Sequence, residues 1–148
     1  MSTMYVKARR ASAQTITNNT RTKVTGLSQE KVIPTGPPAV FNNGTQTFTC
    51  QAAPGTFTSN VRMEWDGNQT GPHLVELIKN GDTTNGRILL SQTEVGWSGG
   101  ASSNPVQSGS ADFDLADGDT LELYVRQTTG GTASIAKVLE WSVAWVRA

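Results

Sequence analysis

Apolar and polar positions along this chain alternate with a period of two, and no window holds helical apolar spacing for three turns. The clearest case is residues 57–65. Phe57, Val61, Met63 and Trp65 fall on one face, and Arg62 and Glu64 on the other. In 120–127, Leu121, Leu123 and Val125 alternate with Glu122, Tyr124 and Arg126. In 138–146, Leu139, Trp141, Val143 and Trp145 share a face, and in 110–115 Ala111, Phe113 and Leu115 do, leaving Asp112 and Asp114 outside. Further strands are predicted at 4–8, 21–25, 30–33, 45–50, 73–79 and 87–93. Turn signals separate them: Asn43-Gly44, Ala53-Pro54-Gly55, Asp66-Gly67, Asn80-Gly81 and Asp117-Gly118. Pro34 to Pro38 is a rigid break. The Gly/Ser/Asn-rich stretch 96–109 is predicted as an exposed loop.

About ten short strands with turns roughly 8–12 residues apart predict an all-β antiparallel β-sandwich with little or no helix, of jelly-roll or Greek-key type. With 148 residues the chain makes a single domain, residues 1–148. Residues 1–35 form N-terminal strands or an arm, packed on or extending from a sandwich of residues 40–147.

Composition supports the strand reading. Polarity comes from 20 Thr, 12 Ser, 9 Asn and 8 Gln, and Thr favours strands because its branched Cβ crowds a helical turn. Twelve basic residues balance twelve acidic ones, which argues against nucleic-acid binding. No apolar run is long enough to span a membrane as a helix, and the first residues lack the apolar stretch of a signal peptide. The lone Cys50 excludes an internal disulfide and reads as a small buried hydrophobe.

Candidate chemistry is sparse. Gly96-Trp97-Ser98-Gly99-Gly100 fits G-x-S-x-G, but no helix follows it and His73 is the only histidine, so it reads as loop and not as a nucleophile elbow. Asp112, Asp114, Asp117 and Asp119 cluster at a turn without EF-hand spacing, so solvated carboxylates are favoured over a calcium site. One His and one Cys do not make a zinc site. No catalytic residue, metal or other cofactor is expected, and the chain is read as non-enzymatic.

Four segments in order resemble a known superfamily: Ala53-Pro54-Gly55-Thr56-Phe57 before a long strand, Leu77-Ile78-Lys79-Asn80-Gly81, the run from Leu115 to Val125, and an aromatic-rich last strand. Together they resemble the TNF/complement globular-head superfamily, whose fold is a ten-stranded jelly roll that forms trimers. The front segment Ala11 to Val24 is similar to the opening of such domains in tailed-bacteriophage structural proteins. The resemblance implies a homotrimeric virion protein, most concretely a capsid decoration (cement) protein on the outer surface of the head, assembled in the host cytoplasm. Its partner would be the major capsid protein, with no nucleic acid and no membrane involved. The alternative is a fibre-head or receptor-binding module for a host glycan or protein.

On this reading Met4, Tyr5, Lys7, Arg9 and Arg10 contact the shell. Trp97, in a loop with little core around it, contacts shell or receptor, and Tyr124 and Trp145 anchor the trimer interface.

Overall fold

The computed structural model describes residues 4–33, 39–51, 55–66, 73–85, 87–92 and 106–147. Twelve strands occupy them, and no described residue is helical. They are β1 (Met4–Arg10), β2 (Gln14–Ile16), β3 (Thr22–Lys23), β4 (Leu27–Ile33), β5 (Ala39–Asn42), β6 (Thr47–Cys50), β7 (Gly55–Asp66), β8 (His73–Lys79), β9 (Arg87–Gln92), β10 (Val106–Leu115), β11 (Thr120–Gln127) and β12 (Ala133–Arg147).

Two antiparallel sheets form. The first runs β10-β7-β12-β1-β4 with β2 added on β12. The second runs β5-β6-β11-β8-β9 with β3 added on β11. The two main paths hold ten strands, and β2 and β3 are short additions. Chain neighbours such as β6 and β7 lie in different sheets, so the chain crosses repeatedly between layers, as in a jelly roll.

The alternating residues meet between the sheets. Phe57, Met63, Trp65, Leu121, Leu123, Val125, Leu139 and Trp141 are all buried there. At one end Phe41 and Phe48 of the second sheet clasp Trp141 of the first, with ring centroids 6.2 and 4.5 Å from it, edge-on. The indole Nε1 of Trp141 donates to Ser59 Oγ at 2.8 Å, so its one polar group is satisfied in the core. Elsewhere Trp65 meets His73 edge-on at 4.4 Å, again across the sheets.

Gln127, fully buried at the end of β11, fixes the connection to β12. Its Nε2 donates to the carbonyls of Ile16 and Gly131, and its Oε1 accepts from the backbone N–H and hydroxyl of Thr129.

Two expectations change. The stretch 96–109 is not all loop, since β10 begins at Val106. Ser108, Gly109 and Ser110 are held as strand by pairing with Arg62, Val61 and Asn60 of β7, which overrides their weak intrinsic preference. Two strands, β2 and β5, had no clear alternation to reveal them. In the N-terminal segment β1 lies inside the first sheet, paired to β12 on one side and β4 on the other.

Candidate interaction face

Because side chains alternate, the strands that bury Val6, Ala8, Val61, Met63, Trp141 and Val143 present a second set outward. Cross-strand register arranges this set in rows. Lys7 lies opposite Ser142, Ser142 opposite Asn60, and Asn60 opposite Ser110. In the next row Arg9, Glu140, Arg62 and Ser108 follow one another. On the other side Ala144, Thr58 and Asp112 do. The middle of the face is therefore built from small side chains, which leave a shallow groove of about 410 Å³ lined by Lys7, Asn60, Arg62, Ser110, Glu140 and Ser142.

The charges along this groove are mostly spent on one another. Lys7 Nζ lies 3.0 Å from Glu30 and 3.1 Å from Glu140. Its pKa is raised by the hydrogen bonds to Glu30 and then Glu140, and that of Glu30 is lowered chiefly by Lys7. Arg9 also reaches Glu30, at 3.4 Å. Such half-exposed pairs contribute little to stability, but they remove net charge from the face. Among the described residues Arg62 carries no ion pair, so one guanidinium remains available at the groove.

The N-terminal basic cluster thus divides. Lys7 and Arg9 lie on the outward face. Arg10 does not: it is 7% exposed, and its guanidinium donates to the carbonyls of Ser12 and Ala13. Burial lowers its pKa. It also lies over Gly26, which sits at φ +71°, and a Cβ there would run into the guanidinium. Arg10 is the closing piece of the β1–β2 corner, not a surface cation. Met4 and Tyr5 begin β1, in register with Trp145 and Ala144. Trp97 lies outside the described residues, as does the whole G-x-S-x-G stretch.

Tyr124 and Trp145 are on different sheets. Trp145 turns inward, half-buried against the core, and its indole N–H has no acceptor among the described residues. Tyr124 is on the outward face of the second sheet, inside a network of long side chains. Its hydroxyl bonds Glu122 at 3.1 Å, and its pKa is raised by burial and then by Glu122. Lys23 lies 3.3 Å from Glu122, and Arg21 reaches across to Glu76 at 2.8 Å and to the carbonyl of Thr83. Beneath them Ile78 is fully buried. Among the described residues, the outer face of the second sheet carries this network of paired long side chains, whereas that of the first sheet carries the groove.

The acidic turn does not converge on a point. Asp112 and Asp114 accept from the hydroxyls of Thr58 and Thr56. Asp119 faces the other way and accepts from the backbone N–H of Ala116, from Asn80 Nδ2 and from Lys79 Nζ. These donors, the Ala116 N–H first, pull its pKa down to about 2. It is a turn-fixing carboxylate. His73 is buried against Trp65, and Cys50 is buried at the end of β6. The groove was not legible in the sequence, because its walls come from four strands far apart in the chain. Only the alternation of Ser and Asn between core positions hinted at a face of small residues.

No family model matches the sequence, and no curated protein matches it. Solved structures do match over nearly the whole chain. Eiger TNF from S. frugiperda superposes with a TM-score of 0.67 at 14% identity, covering 100% of this chain and 96% of its own. Murine APRIL gives 0.67 at 9% identity, covering 97% and 99%. The globular domain of zebrafish complement 1qA gives 0.56 at 17% identity, covering 97% and 96%. The fold is the TNF/C1q-like jelly roll.

Proposed function

We propose that this chain is a non-catalytic binding module that works as a homotrimer, and that its role is to decorate the outer surface of a virion head. The observation that carries the first part is the contrast between the two sheets. The second sheet is overlaid by its own Arg21–Glu76 and Lys23–Glu122–Tyr124 network. The first presents a face of small residues with its charges paired, apart from Arg62. A face of this kind accepts a second copy at little desolvation cost, because few unpaired charges have to leave water. Repeating that contact head-to-tail closes a ring, and a threefold ring matches the trimer that the family resemblance implies.

The virion part rests on the likeness of residues 11–24 to the opening of such domains in tailed-phage structural proteins. A trimer matches a threefold position of an icosahedral shell. Binding only the assembled shell would stabilise it by mass action. The buried His73 and the dispersed acidic turn favour binding over catalysis.

Immunogold labelling of virions that carry this protein tests the role. Label spread over the head is expected. Label confined to tail or fibre tips would replace this reading with receptor binding, and unlabelled virions would remove both.

A further inference from the structure

A second cavity, of about 360 Å³, opens at the edge of the sandwich where the β8–β9 turn faces β10. Lys79, Asn80, Asp82, Asn85 and Phe113 line it. Phe113 is on the inward side of β10 and packs half-buried on the core, so its ring supplies an apolar wall.

The polar wall is rigid before any ligand arrives. Asn80 donates to Asp119 at 2.8 Å and accepts from the N–H of Thr120 at 2.8 Å, which staples the turn to β11. Asn80 and Gly81 both have positive φ, +54° and +69°, in a tight turn closed by the Asp82 N–H donating to the Lys79 carbonyl. Asp82 Oδ1 accepts from the N–H groups of Thr84 and Asn85, and its Oδ2 accepts from Asn85 Nδ2 at 2.8 Å. From behind, Arg21 donates to the carbonyl of Thr83 at 2.7 Å.

What remains open defines the ligand. Two of the three Lys79 N–H groups are used, by Asp119 and by the carbonyl of Asp114. One stays free. Asp82 Oδ2 keeps a lone pair, and Asn85 keeps its carbonyl oxygen and one N–H. The Lys79 charge is already compensated by Asp119, while Asp82 is held ionised by its bonds from Asn85. Among the described residues the cavity is therefore mildly negative, which disfavours an anionic guest. One carboxylate whose oxygens are already in use does not make a cation site. A neutral guest with one apolar face and several adjacent hydroxyls fits: hydroxyls that both donate and accept match Asp82, Asn85 and Lys79, and the C–H face lies on Phe113. We propose that this cavity binds a neutral pyranose sugar. The site is separate from the groove on the first sheet, and the proposal stands or falls apart from the trimer and the virion role.

The test is a titration of the isotope-labelled full chain with methyl α-D-glucopyranoside, galactopyranoside and mannopyranoside, followed by NMR. Sugar is taken to about 20 mM, well above the roughly 1 mM Kd expected for a shallow site and a ligand this small. At least one sugar should shift the Gly81 amide, the Asn85 side-chain amide and the Phe113 ring together. Asn85→Ala, an exposed change, should weaken it about tenfold while leaving the rest of the spectrum in place. Phe113→Leu should weaken it as well. The proposal is overturned by no response to any of the three sugars, by shifts confined to another surface, or by unchanged affinity in a folded Asn85→Ala variant.

Discussion

Arg10→Met separates a structural role for this residue from a partner contact, because the two roles move different readouts. In the folded chain the guanidinium makes two charge-assisted bonds, to the carbonyls of Ser12 and Ala13, the latter at 2.7 Å. Bonds of that kind contribute about 1.5–3 kcal/mol each when nothing replaces them. Here both acceptors belong to exposed residues, so water recovers part of the loss, and removing a buried cation returns its desolvation cost. The net loss is about 2 kcal/mol. For a domain of this size that lowers Tm by about 4–8 °C. Gly26→Ala should cost about 1 kcal/mol for its positive φ alone, plus the collision with the guanidinium. In the double variant the collision is gone, so the two losses should sum to less than their separate values, by about 1 kcal/mol. Calorimetric melts at one fixed protein concentration measure all four states of the cycle, since Tm of an oligomer depends on concentration. A Tm within about 1 °C of the parent for Arg10→Met would refute the corner role and return Arg10 to the surface.

Gln127→Leu keeps the volume but strips four hydrogen bonds at a fully buried site, and should cost about 2–4 kcal/mol, read from the urea midpoint. An unchanged midpoint would mean that these bonds contribute nothing. Asp119 has a depressed pKa in the folded chain, so its contribution is fully present above its unfolded value of about 4 and is lost as pH falls through about 2. Asp119→Asn should therefore flatten the fall in stability between about pH 4 and pH 2, and parallel profiles for the two proteins would contradict the assignment.

The fold was legible where burial and alternation coincide. Strands β8 and β11 match their predicted limits, because every second residue of β11 is core. It was less legible where pairing, not pattern, makes the strand. Ser108 to Ser110 have no apolar signature, and β7 supplies the register that extends them. Strand β2 has one buried residue, Ile16, and β5 follows a run of prolines that reads as a break. Arg10 shows a different limit. Its place in the alternation with Val6 and Ala8 pointed inward, but its charge argued for water, and only the carbonyls of Ser12 and Ala13 resolve the conflict. The groove depends on Lys7, Asn60, Ser110 and Ser142 meeting in one row, which is a property of sheet order and not of any local segment.

The central claim is that copies of this chain join through the outward face of the first sheet. Native mass spectrometry of the parent and of Ser142→Arg measures it most directly. Ser142 lies between Lys7 and Asn60 in the middle of that face, half-exposed, so a long cation there blocks a neighbour without entering the core. The account predicts a parent species of about three times 15.8 kDa and a folded variant at the single-chain mass. A parent that stays at the single-chain mass at micromolar concentration, or a variant that remains trimeric, would contradict it.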